Sequence, residues 1–254
     1  MKKLLEACVN SAISAAEAAK GGADRIELCE NMLEGGCTPS AGTIRFAMQN
    51  LQIPIMVMIR PRGADFLYSI EEFEIMQNDI RAAKEYGADG VVFGILQSGG
   101  NIDFERMGRL AEIARPMQVT CHRAFDMTSD PFKALDDLMM LHIDRVLTSG
   151  QSNSALLGAP LINELIKYAD KRIIIMPGHG IKENNLKEVI DATGASEFHM
   201  YLTCQVPSSM KFFRDDVKMG KPELSEYRHE VVDAERIRKA KEIINDRQNG
   251  LKED

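Results

Sequence analysis

No uninterrupted apolar run in the 254 residues approaches the roughly 18 to 20 needed to span a bilayer, so no membrane span is expected. The amino terminus reaches Glu6 before a signal-like apolar core could form, which points to a cytoplasmic protein. Positive charge is also scarce. With 31 Lys and Arg against 38 Asp and Glu, the formal charge is −7, and a nucleic-acid backbone would find no broad positive field. No G-x-G-x-x-G follows the first apolar run, where Val9 leads into Asn10-Ser11-Ala12-Ile13, so no nucleotide cofactor is expected. No C-x-x-C or H-x-x-x-H spacing supports tetrahedral zinc. No lysine ends a strand as a Schiff-base enzyme would require, since Lys171 precedes its strand and Lys182 follows a loop. Five cysteines are an odd number and do not read as a disulfide framework; in a reducing compartment they stay thiols, open to soft metals.

What is present is a rhythm. Short apolar runs begin near Leu4, Arg25, Ile55, Gly90, Met117, Arg145, Arg172 and Glu197, and read as buried strands. Helical patterns over 11–20, 40–50, 71–86, 102–114, 131–140, 157–169 and 182–193 separate them, and a last one covers 234–247. Ser40, Asp130 before Pro131, and glycines 21, 87 and 194 sit where caps belong. Gly22-Ala23-Asp24, Gly87-Ala88-Asp89 and Gly194-Ala195-Ser196 each launch a strand, with His142-Ile143-Asp144 as a weaker copy. A repeat at every second strand predicts a βαβα unit used four times, hence an α/β fold: a (β/α)8 TIM barrel. No Pro/Gly/Ser-rich linker divides the chain, so residues 1–254 are read as one domain. The stretch 204–233, with polar turns at Pro207-Ser208-Ser209 and Gly220-Lys221-Pro222, lacks periodicity and is expected to be a long irregular loop or lid; the final Lys252-Glu253-Asp254 is a solvated tail.

Barrel active sites lie where strands end, and here those positions are unusually charged. Glu27, His122 and Asp126 are candidate acid/base residues, with Glu6 and His199 as further candidates. Arg60, Arg62 and Arg123 form a candidate anion clamp, and the loops at Ser149 and Gly178 lead toward helix amino termini that favour anions. This set fits an enzyme acting on a small anionic substrate, phosphorylated or sugar-like. A purely structural polar network is the alternative. The matching patterns Glu6-Ala7-Cys8 and Glu27-Leu28-Cys29 put each thiol and carboxylate on one strand face. If the registers coincide, the two thiols face each other and suit Cu(I); otherwise they pack as small hydrophobes.

The runs Gly22 to Cys29, Glu34-Gly35-Gly36, Thr38-Pro39-Ser40, Met58 to Gly63, Asp65-Phe66, His122 to Asp126 and Leu147 to Gly150 resemble the CutC copper homeostasis family. The resemblance implies a cytoplasmic TIM barrel, commonly a homo-oligomer (dimer or tetramer), associated with copper tolerance, with Cu(I) binding reported for some members. Carried onto this chain, the family's proposed copper cysteines are Cys8 and Cys29. Cys121, Cys37, His179 and Met200-Tyr201-Leu202 depart from the residues usual in the family.

Overall fold

The structure is a computed structural model that describes residues 3–214, 216–219 and 225–249. The turn expected at Gly220-Lys221-Pro222 and the Lys252-Glu253-Asp254 tail lie outside the described residues. Eight parallel strands, β1 (Leu4–Val9), β2 (Arg25–Leu28), β3 (Ile55–Met58), β4 (Gly90–Phe93), β5 (Gln118–Cys121), β6 (Arg145–Thr148), β7 (Ile174–Pro177) and β8 (Glu197–Met200), follow one another around a sheet. Helices α1 (Ala12–Gly21), α2 (Ala41–Asn50), α3 (Ile70–Glu85), α4 (Phe104–Ala114), α5 (Pro131–Met140), α6 (Ala159–Ala169) and α7 (Leu186–Thr193) each follow a strand, and α8 (Ala234–Asn249) fills the eighth place. The ladder order β7-β6-β5-β4-β3-β2-β1-β8 leaves β7 and β8 to meet at the seam. A Cβ on Gly178 would stand 3.1 Å from His199 Cβ and collide with Leu147, so glycine is what lets that seam close. The result is the (β/α)8 TIM barrel.

Alternation along the strands builds two interiors. Leu5, Ala7 and Val9 on β1, and Ile55 and Val57 on β3, join the main core that the helices cover. The alternate residues face the barrel axis, where Cys8, Cys29, Met56, Met58 and Val92 form a second apolar cluster.

The Gly-Ala-Asp repeat has a mechanical purpose. Asp24, Asp89 and Asp144 each take the amide of the preceding strand's first turn on Oδ2, from Leu5 (2.8 Å), Ile55 (2.9 Å) and Val119 (2.8 Å). Their own amides donate back to the carbonyls of the same three residues. Each odd strand is thus pinned to the even strand after it, away from the site end. Ser40 and Asp130 cap α2 and α5 as expected. At the end of α1, Gly22 takes the left-handed turn (φ 88°), while Gly21 makes room for α8: a Cβ there would sit 2.6 Å from Ala234 O.

The irregular reading of 204–233 needs correction at both of its ends. β9 (Thr203–Pro207) and β10 (Arg228–Val232) pair antiparallel, from Thr203 opposite Val232 to Pro207 opposite Arg228. Partners more than twenty residues apart leave no local signal in sequence. Val232 N–H donates to Ser14 Oγ (3.1 Å) and Asn10 Nδ2 to Glu230 O (3.1 Å), so the ribbon's base is fixed to the start of α1. Lys241 of α8 pairs with Asp24 at 2.5 Å. Among the described residues, no helix is long and apolar enough to cross a membrane.

Candidate metal and ligand site

The floor of the barrel is a closed ion-pair chain. Arg25 Nε donates to Glu6 Oε2 (2.5 Å) and its Nη2 to Glu197 Oε2 (2.6 Å); Arg145 Nε donates to the same Glu197 oxygen (2.6 Å). Two guanidinium groups meet two carboxylates, and all four residues are buried. Buried charge is costly unless paired, and here the pairing is complete. Burial pushes the Glu6 carboxyl up, but Arg25 and the His199 hydrogen bond outweigh it and hold the group down at about 2.

Above this floor lies a sulfur corner. The register sets Glu6 opposite Arg25 and Cys8 opposite Glu27, so the thiol-opposite-thiol alignment does not form. Cys29 stands one step further along, with its thiol donating to Glu27 Oε2 at 3.3 Å. The two sulfurs still meet. Interaction with the Cys29 thiol, together with His199, overcomes burial and lowers the Cys8 thiol to about 5. The same interaction and burial push Cys29 well above the usual thiol range. The Cys8 sulfur is 4.0 Å from Met32 Sδ, and Gly36 brings backbone against Cys29 and the Met58 methyl. The two thiols thus share one buried cluster with Met58, and Met32 packs against it.

His199 is steered from behind. Its Nδ1 lies 2.8 Å from Glu6 Oε1, leaving Nε2 toward Cys8 and 3.6 Å from Glu27 Oε2. Burial favours the neutral ring, but Glu27, Cys8 and Glu6 together raise its pKa well above the usual value. Donor atoms of Cys8, Glu27 and His199 all lie within 4.8 Å of one another, the spacing of a metal site. Burial raises Glu27 to about 8, and its Oε1 has no hydrogen-bond partner.

The other predicted residues divide. Asp126 is fully engaged: it accepts from Thr148 Oγ1 (2.5 Å), the Ser149 amide (2.9 Å), the Gln151 amide (3.1 Å) and Arg123 Nε (2.8 Å). The loop at Ser149, read as an anion cradle, thus wraps the protein's own carboxylate. The Ser149 hydroxyl is held there too, 2.9 Å from Asp126. Gly178 spends its amide on Thr148 O (2.9 Å) and acts as the packing glycine of the seam. Arg62 turns to α3, bonding Glu72 at 2.6 Å and Asp65 at 3.1 Å, and does not line the cavity. Arg60 donates to the carbonyls of Glu34 (2.7 Å), Gly36 (2.7 Å) and Ala64 (2.9 Å). His122 accepts the Ala124 amide on Nδ1 (3.1 Å). Burial and then the charge of Arg60 push His122 down to about 3.

A cavity of about 600 Å³ at the carboxyl ends of the strands is lined by Cys8, Glu27 and His199 and also by Arg60, His122 and Arg123. Met32, Met58 and His179 line it too; neither methionine was a candidate site residue in the sequence. Met58 was legible as the inward partner of Met56 under period-two alternation. His179 sits at φ 74°, a backbone region rare for residues other than glycine.

The sequence model of the CutC family matches residues 3–203. The chain belongs to the CutC family. Among its relatives are the human copper homeostasis protein cutC homolog, 52% identical over 92% of this chain and 86% of that protein, and a CutC family protein of Parabacteroides distasonis, 49% identical over 94% and 99%. A solved CutC structure from Streptococcus agalactiae superposes with a TM-score of 0.74 at 37% identity, covering 78% of this chain and 97% of that one. The CutC match ends at residue 203, so most of β9 and all of β10 and α8 lie beyond it.

Proposed function

We propose that this protein serves copper homeostasis by holding Cu(I) as cargo on the thiolates of Cys8 and Cys29. The observation that carries the reading is the two neighbouring thiols of Cys8 and Cys29, buried in one cluster with Met58 and packed against Met32, with Cys8 on the cavity wall. Soft sulfur donors select Cu(I) over the harder divalent ions. A Cu(I) ion on two thiolates carries one net negative charge, and the imidazolium of His199, fixed by Glu6, supplies the balancing positive charge. The human relative's name as a copper homeostasis protein supports the same reading.

The test is an anaerobic titration of the reduced protein against a chromophoric Cu(I) chelator. The wild type is expected to withdraw one equivalent of copper, and the Cys8→Ser/Cys29→Ser double variant to bind at least a hundredfold more weakly. Equal affinity in the two proteins overturns the reading.

A further inference from the structure

A cavity of about 600 Å³ is far larger than a metal ion needs, since a water molecule claims only about 30 Å³ of liquid. The sulfur corner uses one wall. Elsewhere in the cavity lining, two buried side chains carry donors that the protein leaves unused: His122 Nε2, on a residue 4% exposed, and Arg60 Nε, on a residue 5% exposed. The amide of Ala124 already donates to His122 Nδ1, so a neutral ring carries its proton on Nε2. Arg60 has neutral partners: three backbone carbonyls and the Phe66 ring, 5.1 Å from the guanidinium. Among the described residues, no carboxylate forms an ion pair with it. A buried cation without a counter-ion, and a buried N–H without an acceptor, each cost free energy that an incoming negative oxygen would remove. Arg123 adds a second guanidinium at the rim.

We propose that this wall, built from Arg60, His122 and Arg123, binds the carboxylate of a small organic acid that sits in the cavity beside the sulfur corner. The structure favours a carboxylate over a phosphate. Phosphate sites in barrels draw on backbone amides, but those of Ser149 and Gln151 are turned onto Asp126 and that of Gly178 onto Thr148. On the wall of Arg60, His122 and Arg123 the donors left are side-chain ones, which suit a planar group with two oxygens. None of these residues belongs to the proposed copper site, so the two proposals stand or fall separately.

Isothermal titration calorimetry on the reduced, metal-free full chain tests this with succinate, citrate and inorganic phosphate as probes. Saturable binding of succinate or citrate is expected, with phosphate weaker. His122→Asn keeps an acceptor for the Ala124 amide but removes the Nε2 donor, and should weaken carboxylate binding at least tenfold. Arg123→Gln, at the more exposed rim, should weaken it at least threefold and serves if the first variant does not fold. Cu(I) affinity should be unchanged in both. No saturable carboxylate binding, undiminished affinity in the folded variant, or phosphate binding tighter than succinate and citrate would overturn the proposal.

Discussion

The floor and the mouth of this barrel are both lined with charged residues, yet they are finished differently. On the floor, Glu6, Arg25, Arg145 and Glu197 meet one another at 2.5 to 2.6 Å. At the mouth, Glu27 Oε1, Arg60 Nε and His122 Nε2 are just as deeply buried but have no partner. Burial of charge alone does not mark a functional site, because a complete network is simply structure. Incomplete pairing at the open end of the barrel is what points to a ligand.

The comparison breaks most visibly at Arg25. Arg25→Met would leave Glu197 with Arg145 alone and Glu6 with His199 alone, and should cost about 3 to 5 kcal/mol, the range for removing one partner of a buried ion pair. The midpoint and slope of urea unfolding measure it. A loss under about 1 kcal/mol would show that water reaches the floor and that its pairing is not what holds it.

A sharper contrast sets two carboxylates on neighbouring strands against each other. Glu6 uses both oxygens, on Arg25 and His199, so Glu6→Gln should cost about 2 to 3 kcal/mol by taking the charged partner from Arg25 Nε and from His199. Glu27 leaves one oxygen unused, so Glu27→Gln should change stability by less than about 1 kcal/mol. The same unfolding experiment, run on both variants in the metal-free state, reads the difference. Equal losses would erase the distinction between a finished floor and an unfinished mouth.

Much of this could be read from the sequence, and the rest could not for definite reasons. Strand starts at Leu4, Arg25, Ile55, Gly90, Arg145 and Glu197 coincide with the observed elements because apolar runs between capping signals are local facts. The importance of Cys8 and Cys29 followed from period-two alternation. Their mutual register did not, because closing a barrel staggers each strand against the next, and repeated motifs on adjacent strands need not lie side by side. Asp126 looked like a catalytic carboxylate since a sequence cannot show that the amides of Ser149 and Gln151 converge on it. Arg62 looked like an anion ligand for the same reason: Glu72, which claims it, lies on the following helix.

The finest test of the comparison is pH. His122 is held near 3 in the folded protein by burial and the charge of Arg60, against an ordinary value of 6.5. Between those values the unfolded chain carries one proton more than the folded one, so this residue makes stability rise with pH and fall on acidification. From pH 6.5 to pH 5 the loss attributable to His122 should be roughly 1.5 kcal/mol. His122→Asn cannot take up that proton, and its stability should fall by correspondingly less over the same interval. Other titrating groups are shared by the two proteins and cancel in the difference between their urea midpoints. Parallel curves would mean that His122 protonates as readily folded as unfolded, and a ring that readily charges beside Arg60 would no longer be the buried, unpartnered donor that sets the mouth apart from the floor.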